Sequence, residues 1–79
     1  MSGKPLEILD KALHKEILLR LRGNRELRGI LRSYDTHLNL YLENVEMKTD
    51  KGEDGVLTEN LGRIVLRGDN VVMVSPPER

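Results

Sequence analysis

The chain has no cysteine, no net charge and no long apolar run, and each absence removes a class of protein. Without cysteine there is neither a disulfide framework nor a thiolate metal site, so the staples of small secreted folds are excluded and a reducing, intracellular setting is expected. Thirteen basic residues balance 13 acidic ones, which argues against a general polyanion binder. Nothing approaches the ~20 apolar residues of a membrane span, and Met1-Ser2-Gly3-Lys4-Pro5 has no signal-peptide core, so a soluble cytoplasmic protein with no membrane partner is expected. A Gly-rich phosphate loop, a nucleophile elbow and a cysteine nucleophile are all missing. Asp35 and His37 could open a metal or acid-base site, but no third ligand is visible and His14 has no partner spacing. No catalysis, no cofactor and no metal site is expected.

With 79 residues the chain supports one small domain, and a domain of that size buries only about 60% of the surface its unfolded chain exposes. Association is therefore expected as a second source of burial. Charge is unevenly spread: residues 1–42 carry eight Lys or Arg against five Asp or Glu, whereas residues 43–60 carry two against six. A local nucleic-acid surface is compatible with that segregation, as is simple solvation of strand faces.

Pro5 to Leu13 reads as a short helix, with Pro5 in its first turn and Leu6, Ile8, Leu9, Ala12 and Leu13 as its apolar stripe. His14 and Lys15 sit at the end where positive charge is favoured. Glu16 to Arg22 alternates, with Ile17, Leu19 and Leu21 on one face, and runs into the turn pair Gly23-Asn24. The returning strand, Arg25 to Tyr34, holds Gly29 in mid-run, where a bend or bulge is expected. A third strand follows through Leu38, Leu40, Leu42, Val45 and Met47. Thr49 to Asn60 reads as a solvated loop. Gly62 to Arg67 and Asn70 to Val74 are two short apolar strands joined by Gly68-Asp69, before Ser75-Pro76-Pro77. A helix followed by about five antiparallel strands, strongly bent, predicts a small SH3-like or OB-like barrel. Val71, Val72, Met73 and Val74 are apolar on both faces although they should lie near a sheet edge. Either another copy pairs with that edge in a heterologous, ring-closing contact, or the strand is sandwiched within a monomer.

Asp35-Thr36-His37-Leu38-Asn39 and Arg67-Gly68-Asp69 are not explained by core packing. If strand alternation holds, His37 and Asn39 project to one side and Leu38 to the other. A single-stranded RNA base needs stacking surfaces and partners for its Watson-Crick edge. His37 and Arg67 could sandwich a base, and Asn39 matches the N3-H donor and O4 acceptor of uracil. Asp69 could take one N-H of Asn39 and fix the amide, which predicts uracil over cytosine. Gly68 permits close backbone approach, and Asp35 is expected to accept turn N-H groups. Singly, each residue also fits an ordinary turn, a surface ion pair or a solvated histidine.

Leu21-Arg22-Gly23-Asn24-Arg25-Glu26 with Gly29, then Tyr34-Asp35-Thr36-His37-Leu38-Asn39-Leu40, resembles the first motif of the Sm and Sm-like (LSm) family, the archaeal members most closely. Ile64-Val65-Leu66-Arg67-Gly68-Asp69-Asn70-Val71-Val72 resembles the second. The resemblance implies a single Sm domain over residues 1–79: a helix at about 5–13, a first motif region at about 16–48, a variable loop at about 49–60 and a second motif region at about 61–74. It further implies an N-terminal helix on a bent five-stranded antiparallel sheet, the fourth strand pairing with a neighbour's fifth to close a ring. Leu66, Val71, Val72, Met73 and Val74 would form that interface. Seven subunits are favoured over six, because the six-membered bacterial Hfq branch carries Lys-His where this chain has Arg67-Gly68. Uridine-rich single-stranded RNA would bind at the pore, with His37 and Arg67 stacking the base, Asn39 reading it, Asp69 orienting Asn39 and Gly68 beside them, on a turn supported by Asp35 and Leu38. Such proteins act as scaffolds in RNA processing or turnover, alongside RNA-processing protein partners. Leu38 stands where archaeal members often have Met, and Tyr41 where a smaller aliphatic is common. A protein-only ring with no nucleotide in its pore is the competing reading, and a monomeric ribosome-associated barrel is disfavoured by neutral charge.

Overall fold

The computed structural model describes residues 5–75. Helix α1, Pro5–Lys11, leads into strands β1, Glu16–Leu21, β2, Arg25–Tyr34, β3, Leu40–Asp50, β4, Val56–Leu66, and β5, Val71–Ser75. They form one antiparallel five-stranded sheet in the order β4-β3-β2-β1-β5, the mostly β fold with a short N-terminal helix that the residues imply.

The core is built by alternation. Ile17, Leu19 and Leu21 of β1, Leu27 and Leu31 of β2, and Leu40, Leu42 and Val45 of β3 are almost fully buried, joined by Leu9 and Ala12. The helix stripe is narrower than the spacing predicts. Leu6 and Ile8 stay on the exposed side, while Leu13 packs against the core from the turn after the helix. His14 adopts φ 66° and reverses the chain. There its backbone N-H donates to Leu31 O at 2.6 Å, and Leu31 N-H donates back to Lys15 O at 3.0 Å. Tyr34 adds a tie, its hydroxyl lying 3.3 Å from both Leu6 O and Asp10 Oδ1.

Bends come from bulges at predictable places. The β2–β3 register shifts between Arg28 and Ile30, around Gly29. A β-carbon on Gly29 would lie 2.9 Å from Val45 Cγ2 and 3.2 Å from Glu43 O, so only glycine lets β3 close over this bend. In β3, Asn44 at φ 54° breaks strict alternation, which is why Val45 rather than Asn44 follows Leu42 into the core.

The segment 49–60 departs from expectation. Read from its composition as a solvated loop, it is instead the end of β3 and the first half of β4, joined by a short 3-10 turn at Gly52–Asp54. Asp50 is paired with Val56, Thr49 with Leu57 and Lys48 with Thr58. Its polar composition follows from exposure, since every residue from 51 to 63 is exposed. A two-faced solvated hairpin lacks the apolar period that signals a strand.

Replacing Gly29 with alanine is expected to lower stability by about 1–3 kcal/mol through overpacking against Val45. Urea denaturation with an unchanged midpoint would show that β3 can yield there.

Candidate nucleic-acid interface

Residues 35–39 form a tight turn between β2 and β3. Asp35 N-H donates to Asn39 O at 3.1 Å and Leu38 N-H donates to Asp35 O at 3.0 Å, closing the loop on itself. Leu38 sits at φ 62°, a left-handed conformation that non-glycine residues adopt at a cost of about 1–2 kcal/mol. Strict strand alternation therefore does not extend to His37 and Asn39. Leu38 remains packed against the core, anchoring the strained residue.

Asp35 organises the turn through both oxygens. Oδ1 accepts the backbone N-H groups of His37 at 2.8 Å and Asn39 at 3.0 Å, while Oδ2 accepts from Asn39 Nδ2 at 2.9 Å. The side-chain oxygen of Asn39 in turn accepts the backbone N-H of Gly68 at 3.0 Å. One amide thus bridges two turns. The expected Asp69–Asn39 contact is corrected by this geometry: Asp69 Oδ2 instead accepts from Arg67 NH2 at 3.1 Å, and Asp35 holds Asn39. The spacing Asp35 to His37 is that of an Asx turn, whose second oxygen is free for a side chain beyond it.

Gly68 is required by sterics as well as by its N-H. A β-carbon there would lie 2.9 Å from Leu38 O and closer still to His37 O. This approach brings the backbone beside Arg67 against the His37 turn. His37, Arg67 and Asp69 are exposed, Asn39 and Gly68 half-buried, so the two turns that the amide joins carry flat and charged groups open to solvent. With Asp35 taking one N-H and Gly68 occupying one lone pair, Asn39 keeps one N-H and one lone pair free. Turning the amide over would set oxygen against the Asp35 carboxylate and NH₂ against the Gly68 N-H. The free donor and acceptor therefore keep one fixed order.

Of the residues expected at a subunit interface, Leu66, Val71 and Val74 pack partly against the core and Val72 is 63% exposed at the β5 edge. The side chain of Met73 lies outside the described residues. A chain of groups on β2 and β3 was not anticipated. Arg32 Nε donates to Glu43 Oε1 at 2.8 Å, Arg32 NH1 lies 2.8 Å from His14 Nδ1, which must accept, and Tyr41 OH donates to Glu43 Oε2 at 3.3 Å. These join helix exit to sheet and leave Tyr41 a structural partner. Among the described residues no group of His, Cys, Asp and Glu is placed to hold a metal ion.

Residues 7–76 match the family model of the LSM domain. The chain is 46% identical over 76 residues to an snRNP Sm-like protein of Methanococcoides burtonii, covering 96% of this chain and 100% of that one. It is similar to a Pyrococcus abyssii Sm protein solved in complex with a uridine heptamer, with TM-score 0.79 and 39% identity over 95% of this chain and 100% of the other. It is also similar to the P. aerophilum SmAP1 heptamer, with TM-score 0.82 and 35% identity over 100% of both chains.

Hydrogen bonds from the Asn39 side chain, then from its backbone, hold the Asp35 carboxyl below its ordinary value. A carboxylate with a depressed folded pKa stabilises the turn at pH above its unfolded value, and that contribution disappears as pH falls through the folded one. An NMR titration should place the Asp35 midpoint below that of a free aspartate. A midpoint at or above it, or unchanged exchange of the His37 and Asn39 amides in Asp35→Ala, would remove the clamp.

Proposed function

The chain belongs to the LSM domain family, and on that premise we propose that it binds uridine-rich single-stranded RNA at the inner pore of a ring of its own copies. The observation that carries this reading is the fixed Asn39 amide. Its remaining lone pair and N-H complement the N3-H and O4 of uracil in one order, whereas cytosine presents the reverse. His37 and Arg67 supply the faces between which the base stacks, and the Asp69 carboxylate restrains the Arg67 guanidinium. Asp69 thus acts on the stacking group and Asp35 on the reading group.

Ring closure is supported by the two free edges of the sheet, β4 and β5. Seven subunits is the number in the SmAP1 heptamer, and a uridine heptamer is the ligand in the Pyrococcus complex. A cytoplasmic scaffold in RNA processing or turnover, rather than an enzyme, is the role we assign.

Fluorescence anisotropy at 150 mM salt with labelled oligo-U, oligo-C and oligo-A tests this. Oligo-U should bind about tenfold or more tighter than oligo-C, in line with ~1–3 kcal/mol for a bidentate base contact. Asn39→Ala should erase most of that preference, and His37→Ala should weaken all three oligomers, because stacking tolerates every base. Equal affinity for U and C would overturn base reading, and an intact ring that binds no oligomer would favour the protein-only scaffold. Native mass spectrometry showing only monomer at micromolar concentration would overturn the ring.

A further inference from the structure

The edge of β4 is longer than the β5 of a neighbouring copy could cover. β4 has 11 residues and β5 has five. β5 is bounded by the turn Gly68–Asn70 on one side and in sequence by Pro76-Pro77 on the other, and proline has no N-H to extend a ladder. The β4 edge is also broken in the middle. Asn60 pairs with Glu46 and Gly62 with Val45, so Leu61 is an extra residue, Gly62 takes φ 70°, and Asn44 opposite takes φ 54°. A bulge of this kind bends the strand. It divides the edge into two straight runs, Val56–Asn60 and the run ending at Leu66.

These runs differ chemically. Ile64, Val65 and Leu66 are apolar and adjoin the Arg67–Asp69 turn, matching the uncharged β5 that the proposed ring would bring against them. The outer run is exposed at every position, with Val56 61% and Leu57 42% exposed. The hairpin that carries it holds the carboxylates of Glu46, Asp50, Glu53, Asp54 and Glu59 with Lys48 and Lys51, while Arg25 and Arg28 lie one strand further back on β2, opposite Thr49 and Glu46. Phosphate backbones are repelled there. A second copy of the same run is disfavoured as well, because carboxylates would face carboxylates across the new ladder.

We propose that the Val56–Asn60 edge captures an extended, lysine- or arginine-rich segment of a partner protein as an added β-strand. The proposal rests on the ring reading for the half of β4 it leaves free. Backbone groups of the open edge supply the ladder, Val56 and Leu57 supply apolar footing for alternate side chains, and the carboxylates select a cationic sequence. RNA at the pore and protein at the hairpin then occupy regions of opposite charge on one subunit.

The assembled protein is titrated with a labelled Lys-Val-Lys-Val-Lys-Val-Lys peptide and with its fully backbone N-methylated form, which keeps the charge but has no N-H to donate to the β4 edge. Hydrogen exchange is followed at Val56–Asn60. The unmethylated peptide should bind and slow exchange in that run. N-methylation, or the substitutions E53Q, D54N and E59Q together, should weaken binding by about tenfold while oligo-U affinity is retained. Asp50 is left intact because its Oδ1 accepts the Gly52 N-H at 2.8 Å and shapes the turn. Equal binding of the methylated peptide would reduce the effect to charge attraction and overturn the proposal. So would an absence of peptide binding by a ring of unchanged mass and oligo-U affinity, or slow exchange at Val56–Asn60 in the free ring. Loss of the ring itself is read separately by native mass spectrometry, and peptide binding still decides the edge.

Discussion

The bond from the Gly68 N-H to the Asn39 side chain is the constraint from which the site follows. It joins positions 29 residues apart, and it exists only because residue 68 has no β-carbon to strike the carbonyls of His37 and Leu38. On the other side of the same amide, Asp35 takes a side-chain N-H with one oxygen and two backbone N-H groups with the other. Each bond fixes the next. A carboxylate that accepts three N-H groups cannot rotate away without leaving donors unpaired, and an amide held at both ends cannot flip. The polarity presented to a ligand is therefore a property of the backbone of two turns rather than of one flexible side chain.

Curvature of the sheet is what allows those turns to meet. β4 and β5 are consecutive in the chain yet stand at opposite edges, in the order β4-β3-β2-β1-β5. Across a flat sheet with strands ~4.8 Å apart the outer strands would be about 19 Å from each other. The link from Leu66 to Val71 reaches at most about 17 Å when fully extended, and Gly68–Asn70 is coiled into a 3-10 turn. The sheet must curl for that link to close. Gly29, Asn44 and Gly62 provide the bends, through a missing side chain in one case and positive φ in the other two. The short link then crosses over the start of β3, where Asn39 grips it. The glycine and asparagine residues of the strands thus decide, at a distance, whether the Asn39 amide has its second partner.

Much of this was legible in the chain. The alternation of Ile17, Leu19 and Leu21 predicts β1 and its buried face, and Gly23-Asn24 predicts the turn, where both residues do take positive φ. Gly29 marks the bend. Three features were not legible, for separate reasons. The hairpin spanning 49–60 is exposed on both faces, so no burial pattern distinguishes it from a loop, and only its pairing with β3 makes it a strand. Asp35 and Asp69 are equivalent as carboxylates in turns. Only the left-handed φ of Leu38, which turns Asn39 back toward Asp35, separates them, and nothing about leucine signals that conformation. Leu6 and Ile8 share an apolar stripe on paper, but the helix is only seven residues long and buries one narrow line, through Leu9.

Neutral charge and an RNA site are compatible once the fold is considered. Arg67 and Asp69 cancel each other at 3.1 Å, and a pair so exposed contributes little to stability. In the proposed site its value would be to hold a guanidinium plane where a base stacks. Specificity in such a site comes from hydrogen-bond order and stacking rather than from net charge, so a single copy would hold one nucleotide weakly. Strength has to come from repetition, because each further nucleotide on the same strand meets its site at high effective concentration. In the proposed ring the open edges of β4 and β5 would be the means of that repetition, and the same bulges that bend the sheet would stop the neighbour's short strand from using all of β4. What is left over is acidic, away from the turns, and unpaired. A ring built this way would concentrate its RNA-reading groups around one opening and leave its surplus strand edges, one for each subunit, on the hairpins outside it.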